Sequence, residues 1–469
     1  MHKPIPWTVE DVLEATGGRL VSGDRSCFFE GISIDSRTLA ANDLFVAIRG
    51  QKHDGHQFIE NVVAAGCRGI IVEKTAVEKL SLPLDMRRNG MFVAVTDTTQ
   101  ALADLAAYQR RRSQAAVIGI TGSNGKTSTK ELTMAVFGQK FPSLATAGNF
   151  NNEIGLPLTL LRLGYHHQWA VLELGMNHPG EIRALARICS PDIGIITNVG
   201  TAHLEGVGSI EGVMQAKGEL LGEIKRSGVA VLNSDDPRVR QLAGRAHSSV
   251  LLYGTGDEAD VQGRDVRQEG LGYSFSLMLP DGESTDIHLA SPGRFMVSNA
   301  LAAATAGYAA GIDAGTIRKG LENCKPVKGR LGLLRSTKGF NIIDDTYNAN
   351  PDSMKQAIAT LAALKKDRRA FLALGDMYEL GTQAAELHKT VGEFAARSGI
   401  DRLYVIGNFA EYVVQGALEA GMAAGRIRSG DPESLIEEMR RELQQDEWVL
   451  VKGSRAMKME TVVQGLMAS

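Results

Sequence analysis

Short unbroken apolar runs alternate along this chain with longer stretches in which apolar positions recur every third or fourth residue. The runs "AAVIGITG", "WAVLELG", "DIGIITN" and "GVAVLN" follow one another between helical stretches. Unbroken apolar strands separated by helices predict a parallel sheet covered on both faces. Residues 248–293 alternate instead and hold the turn signal "PDGES", which predicts a β-hairpin appendage. After "KPVKGRLG" the strand–helix alternation starts afresh with "GFNIIDDTY", "RAFLALGDM", "RLYVIGN" and "EWVLVKGS". The first hundred residues carry shorter strand signals, "DLFVAIRG" and "GIIVEK". A helical run, "TTQALADLAAYQRRRSQ", then ends in a basic cluster near Ser113. The pattern therefore predicts an α/β protein of three domains, at residues 1–112, 113–327 and 328–469.

Composition changes this picture little. The chain has 469 residues, 43% hydrophobic and 22% charged, so each unit can bury its own core. "NALAAATAGYAAG" is short and alanine-rich, a helix packed on a sheet and not a membrane span. A net charge of -3 excludes a phosphate-backbone partner, so no nucleic acid is expected. Cys27, Cys67, Cys189 and Cys324 are scattered with no C-x-x-C pair, which suits a reducing cytoplasm. The N-terminal "MHKPIPWTVEDVLEA" has no apolar h-region of a signal peptide.

"VIGITGSNGKTSTK" carries the first chemistry. It has Gly125-Lys126-Thr127 of a phosphate-binding loop, but Ile120 stands where that motif has its first glycine. A strand ending at Thr121, the turn Gly122-Ser123-Asn124-Gly125 and a helix from Lys126 would gather backbone N–H groups and a helix dipole around one phosphate. Lys126 adds a mobile positive charge, and the Thr127 hydroxyl is a Mg²⁺ ligand candidate.

Three further residues lie at strand ends or on an apolar helix face. Glu173, in "VLELGMNHPGEI", ends a buried strand, where a carboxylate needs a salt-bridge partner or a metal. His203, in "NVGTAHLEG", follows another strand on the ligand-binding side of an open sheet. Lys217 lies on the same helical face as Ile210, Val213, Met214, Leu221 and Ile224, with Ser209 as N-cap. Burial would lower its pKa and leave a neutral amine able to take up CO₂ as a metal-ligating carbamate. The alternative is a buried stem whose head reaches solvent or an acid.

In the last unit, "IIDDTYNANPDSM" offers Asp344 and Asp345 as ribose contacts or helix caps, with Asp352 and Ser353 as further cap candidates. Arg330, at the junction of two units, is placed either to clamp a phosphoryl group or to form a surface salt bridge.

Taken in order, these segments resemble the Mur ligase family, ATP-dependent amide-forming enzymes of peptidoglycan synthesis. The resemblance runs through "ISIDSR", "GQKHDGHQFI", "GITGSNGKTSTKE", "TAGNFNNEIGLPLTLL", "LELGMNHPGEI", "TNVGTAHLEG", "AKGE", "DDTYNANPDSM", "LGDMYELG" and "VKGSRAMKME". It covers essentially the whole chain. The family's loop is T-G-[ST]-x-G-K-[ST], so the displaced glycine is normal for it.

The resemblance implies a small UDP-sugar domain, a central P-loop ATPase and a Rossmann-like C-terminal domain. It assigns Thr121 to Thr127 to the triphosphate and a first Mg²⁺, Glu173 and His203 to a second Mg²⁺, and carbamylation to Lys217. It further assigns Asn299 to adenine, Arg330 to the phosphate clamp and Asp345 to ribose, with Asp344 as substitute if the register differs. Ser36 and Arg37 match the uridine-nucleotide side, and "TAGNFNNEIG" (Thr146, Asn149, Asn151, Asn152) the muramoyl side. Phe295 stands where relatives often have histidine.

"DDTYNANP", together with the absence of a D-N-P-R motif, points within the family to the joining of D-Ala-D-Ala to UDP-N-acetylmuramoyl-tripeptide. Asn348, Asn350, Lys452 and Arg455 are candidates for the dipeptide carboxylate. A monomer that closes about a hinge on binding is expected. Rival readings are a tripeptide-forming Mur enzyme, a folylpolyglutamate synthase-like ligase, and a regulatory nucleotide-binding protein without activity.

Overall fold

The structure, a computed structural model, describes residues 3–50, 53–79 and 90–468; Gln51 and Lys52 of "GQKHDGHQFI" lie outside them. The described residues form three principal sheets. The first has the order Arg19–Gly23, Met91–Val95, Gly69–Glu73, Asp43–Val46, Gly31–Ser33, parallel except for its first pair. Beside it, Trp7–Thr8 pairs antiparallel with Phe28–Phe29.

The helix Thr98–Ser113 ties this sheet to the next. Asp97 caps it, its carboxylate accepting from Thr99 N and Gln100 N. Near its C-terminal end, Gln109 Nε2 donates to Leu163 O at 2.8 Å, and the buried Arg110 donates to Cys189 O and pairs with Asp192. One hydrophobic cluster accordingly runs from Trp7 and Val93, through Leu102 and Leu105, to Leu156 and Leu185. The sequence boundary near Ser113 thus falls at the end of a helix whose last turn is bonded to the central unit.

The central sheet has nine strands. Its parallel part is Ser143–Ala145, Trp169–Glu173, Ala116–Thr121, Ile193–Ile196, Val229–Asn233 and Ser249–Gly254. All four apolar runs named above take these places, side by side. Residues 248–293 hold the expected antiparallel hairpin, Gly272–Met278 with Ser284–Leu289, joined to the edge of this sheet. Ser249–Gly254 is a parallel strand, and Val261–Glu269, Gly272–Met278 and Ser284–Leu289 continue the same sheet. The "PDGES" turn does join the last two of these strands, with Gly282 at φ +88. Helix Phe295–Ala309 is buried almost all round, packed on helix Lys126–Phe137 and on the sheet.

The last sheet runs Gly332–Arg335, Asn341–Asp345, Trp448–Lys452, Ala370–Gly375, Arg402–Ile406, Ile427–Ser429, and only its first pair is antiparallel. The four apolar runs predicted for this unit form its four central strands. Strands Ala116–Thr121, Trp169–Glu173 and Asn341–Asp345 all end at one cleft.

Candidate active site

Between the central and last units lies a cleft of about 1350 Å³. Its floor is the loop after Thr121. Gly122 has φ +149, and a Cβ there would stand 1.8 Å from Thr197 Oγ1; Gly125 has φ +81, and its Cβ would meet Asn299 Oδ1 at 2.4 Å. Only glycine lets the backbone turn this tightly at both places. Helix Lys126–Phe137 then begins with no side-chain cap, leaving its first N–H groups facing the cleft. Ser123 through Thr127 line the cleft, but Thr121 is buried in its strand and Gly122 sits behind the loop.

Lys126 folds back, its Nζ donating to Gly122 O at 2.7 Å. Burial pushes its amine below the ordinary lysine value, against the pull of Glu173. Thr127 Oγ1 donates to Glu173 Oε2 at 2.8 Å and accepts from Arg330 Nη2 at 2.8 Å. Asn151 Nδ2 donates to Glu173 Oε1 at 2.8 Å. Glu173 is only 3% exposed, yet its direct partners are a hydroxyl and an amide, with no counter-ion in contact among the described residues. The Arg330 guanidinium also lies 4.3 Å from the centre of the Tyr347 ring.

Helix Ile210–Gly218 starts at Ser209, whose hydroxyl accepts from Gly212 N. It ends in a tight turn at Glu219–Gly222, so Leu221 and Ile224 lie past it. Lys217 is 1% exposed and no acceptor among the described residues takes its Nζ. Burial, reinforced by the nearby Lys126 charge, drives its amine well below the ordinary value. Of its alternatives, an acid partner is not found among the described residues. His203 lines the cleft at φ +58 and brings Nδ1 to 2.7 Å from Glu379 Oε2. Burial lowers its pKa, opposed by that carboxylate.

From the last unit, Asp345 lines the cleft. Its Oδ1 accepts from Leu331 N and its Oδ2 pairs with Lys452 Nζ at 2.5 Å. Asp344 is buried and spent on Thr346 N and Oγ1, so it is not the cleft residue of the pair. Asn350 caps helix Pro351–Lys365 in a capping box with Ser353, and its Nδ2 donates to Asn124 Oδ1 at 2.8 Å. Asp352 does not cap; its Oδ2 accepts from Thr201 N and Oγ1 in the central unit. Asn348 accepts from Lys452 Nζ and from Arg455 N.

Other predicted residues stand elsewhere. Thr146 is buried behind Glu173, its hydroxyl accepting from Glu173 N, and does not line the cleft. Asn149, Asn152 and Asn299 do line it. Ser36 and Arg37 lie apart in the first unit. There the Arg37 guanidinium hydrogen-bonds Asp35 and pulls that carboxyl down to about 2. Phe295 begins its helix at the cleft wall and packs against the core of the last unit.

Residues 29–110, 120–307 and 329–455 match, in order, the Mur ligase catalytic, middle and glutamate ligase domains. The chain is 35% identical, over 98% of both chains, to the UDP-N-acetylmuramoyl-tripeptide–D-alanyl-D-alanine ligase of Bacillus subtilis (strain 168). The chain belongs to the Mur ligase family. Among solved structures, MurF from Acinetobacter baumannii superposes with a TM-score of 0.89 at 33% identity, covering all of both chains. MurF ligase from Thermotoga maritima in complex with ADP gives 0.82 at 28% identity, over 93% of this chain and 97% of that one.

Three residues of this Mur ligase's cleft carried no role in the sequence reading. Asn198 grips the loop, its Oδ1 accepting from Asn124 N and its Nδ2 donating to Asn124 O. Tyr347 stacks under Arg330. Glu379 faces His203. Their segments "TNVG", "DDTYNANP" and "LGDMYELG" all follow apolar strands, the signal that could have found them.

The donors suit a hard divalent cation. Thr127 Oγ1 and the buried Glu173 carboxylate are adjacent oxygens. No group of three or more His, Cys, Asp or Glu side chains gathers among the described residues. A hydroxyl and a carboxylate oxygen side by side are the kind of donors Mg²⁺ takes beside phosphate and water oxygens.

Proposed function

We propose that this Mur ligase joins D-alanyl-D-alanine to the terminal carboxylate of UDP-N-acetylmuramoyl-tripeptide, consuming ATP and releasing ADP and phosphate. The observation that carries the reading is the convergence of Lys126, Thr127, Glu173 and Arg330, drawn from two units, on one cleft. Full-length relatives bearing that activity's name support it.

A carboxylate is a poor electrophile toward an amine. Its oxygen attacks the γ-phosphorus, ADP departs, and an acyl phosphate results. The dipeptide amine then attacks the acyl carbon, phosphate leaves, and the amine proton passes to solvent or a nearby base. The first step brings two anions together. The loop N–H groups, Lys126 and Arg330 offset that repulsion and hold the oxygens in line. Mg²⁺, held at Thr127 and at Glu173 and His203, would neutralise charge on the phosphate oxygens. Lys217, buried with no acceptor among the described residues and beside Lys126, has the amine that a carbamate requires, and a carbamate would place a negative charge there.

The remaining roles are Asn299 at adenine, Asp345 at ribose, Ser36 and Arg37 at the uridine nucleotide, and Asn149, Asn151 and Asn152 at the muramoyl group. With Asp345 on Lys452, Arg455 is the cation most available to the dipeptide carboxylate. Its partner Glu460 is an exposed-rim pair. Among the described residues no helix is long and apolar enough to cross a membrane, and no disulfide joins the cysteines; we place the reaction in the cytoplasm.

Phosphate release measured with ATP, Mg²⁺, UDP-muramoyl-tripeptide and D-Ala-D-Ala tests the proposal. Release should need all four, with either lysine or diaminopimelate at the third position revealing the preferred acceptor. Release that ignores D-Ala-D-Ala but follows another amine, or no release at all, would overturn it.

A further inference from the structure

Two residues from different units meet at the cleft in a conformation that side chains rarely adopt. His203, in the loop after Ile193–Ile196, has φ +58; Glu379, in the loop after Ala370–Gly375, has φ +63. Neither is glycine, so both loops are held where the isolated chain would resist. The loops also touch through backbone, Glu205 N donating to Glu379 O at 3.2 Å, and Gly381 lies close against Glu205. Glu379 Oε2 comes to 2.7 Å from the buried His203 Nδ1, off the N–H axis, and Nδ1 has no other partner among the described residues. Behind Glu379, the same loop is pinned by Met377 N donating to His388 Nε2 and by Tyr378 N donating to Ser454 Oγ.

An ionised carboxylate only accepts, so the imidazole nitrogen facing it must carry the proton. The other nitrogen, Nε2, is then left with its lone pair. We propose that Glu379 is a positioning residue that fixes His203 in the Nδ1–H form and aims Nε2 at a divalent cation. Because Glu379 belongs to the last unit and His203 to the central one, this cation site is complete only while the two units are seated together. Such a carboxylate behind a metal-binding histidine changes metal affinity about 10–100-fold. The inference rests on the proposed cation role of Glu173 and His203.

Two readouts test it on the full chain. In the metal-free protein saturated with UDP-muramoyl-tripeptide and an unhydrolysable ATP analogue, so that the units are seated, long-range ¹H–¹⁵N spectra of the histidine rings report the tautomer, with His203 identified by its loss in His203→Asn. The parent should show Nδ1–H, and Glu379→Ala should shift the ring toward Nε2–H. Glu379→Gln, whose amide oxygen still accepts, should keep Nδ1–H. In the second readout, free Mn²⁺ is followed by EPR in the presence of ADP. Glu379→Ala should weaken the cation not accounted for by nucleotide about tenfold or more, and in a His203→Asn background it should have no further effect. If the parent takes up no such cation, the metal reading of Glu173 and His203 falls and this inference with it. If the parent does, and Glu379→Ala matches it in tautomer and affinity, only the role of Glu379 is overturned.

Discussion

Arg330 Nη2 donates to Thr127 Oγ1 at 2.8 Å, so the residue that opens the last unit touches the first turn of the phosphate-loop helix. The guanidinium reaches there over the Tyr347 ring, and its buried Nε has no partner among the described residues. A guanidinium held beside the loop, with donors to spare, is placed to answer charge developing on a transferring phosphoryl group. Arg330→Ala should lower kcat about 10³-fold while leaving the KM for ATP within a few-fold. Arg330→Lys keeps the charge but not the planar fork, and should recover only part of the loss. Steady-state phosphate release with a thermal-unfolding control measures this, and a kcat for Arg330→Ala near the parent's would exclude the clamp.

The loop itself allows a sharper contrast. A methyl at Gly125 would meet Asn299 Oδ1 at 2.4 Å in a backbone at φ +81, whereas one at Gly244 would meet nothing within 4 Å. Gly125→Ala should raise the Kd for ADP about tenfold or more, since the loop must open to admit it. Gly244→Ala should leave it unchanged. Calorimetric titration of ADP into both variants decides the matter, and equal affinities would remove the loop from nucleotide binding.

How much of this was legible beforehand depends on the range of the signal. The periodicity from Ile210 put Lys217 on an apolar face, and it is buried. The unbroken alanine-rich run became a helix buried almost all round, Phe295–Ala309. Residues 248–293 were harder. Alternation identifies strands, but whether they continue a neighbouring sheet depends on edge pairing that local sequence does not encode. Asp352 misled for a related reason. Asn350-Pro351-Asp352-Ser353 offers several cap-formers, Asn350 takes the cap, and Asp352 is freed to reach Thr201 in another unit. Glu379 had only its place after an apolar strand to mark it, because its partner lies in a different unit and a lone loop carboxylate has no periodicity to betray it.

Lys217 ties stability to chemistry. Its amine sits well below the ordinary lysine value of 10.5, so between the two values the unfolded chain binds the extra proton. Stability should therefore rise with pH up to about 10.5 and level off above it. Lys217→Met removes both the slope and the buried amine, and in CO₂-free buffer should unfold at a higher temperature than the parent. The same variant should lose phosphate release about 10²-fold or more. The parent in decarbonated buffer should lose activity and regain it with bicarbonate. Activity indifferent to CO₂ would count against a carbamate.

His388, in the last unit, gives a pH response of the same sign in a lower pH range. It is 1% exposed, its Nδ1 lies 2.7 Å from Ala384 O, and its Nε2 accepts from Met377 N at 2.9 Å. Only the neutral ring with its proton on Nδ1 satisfies both contacts. Burial holds its pKa below the ordinary 6.5, outweighing the Ala384 carbonyl and Asp376. The unfolded chain thus binds a proton first as pH falls below 6.5, and stability declines down to the folded-state value. The loss is at most about 1.4 kcal/mol per pH unit. Denaturant unfolding at pH 7.5 and 5.5 should show this decline in the parent and a smaller one in His388→Gln. Parallel pH profiles for the two proteins would assign the effect to other groups.

The contacts across the cleft are mostly polar: Arg330 to Thr127, Asn350 to Asn124, Asp352 to Thr201 and Glu379 to His203. Phe295 against the last unit's core is a main apolar addition. Polar contacts exchange for water at little net gain, so this seating is weakly held without ligands, as is usual between domains. Nucleotide bound to Lys126 from one side and to Arg330 and Asp345 from the other would add contacts available only when the units are seated. Small-angle scattering should therefore give a larger radius of gyration for the ligand-free protein than for the protein with UDP-muramoyl-tripeptide and an unhydrolysable ATP analogue. Asp352→Ala, which removes the bond to Thr201 without touching the loop, should widen that difference. A radius unchanged by ligand, in the parent and in Asp352→Ala alike, would mean that the units are permanently seated and that closure plays no part in the reaction.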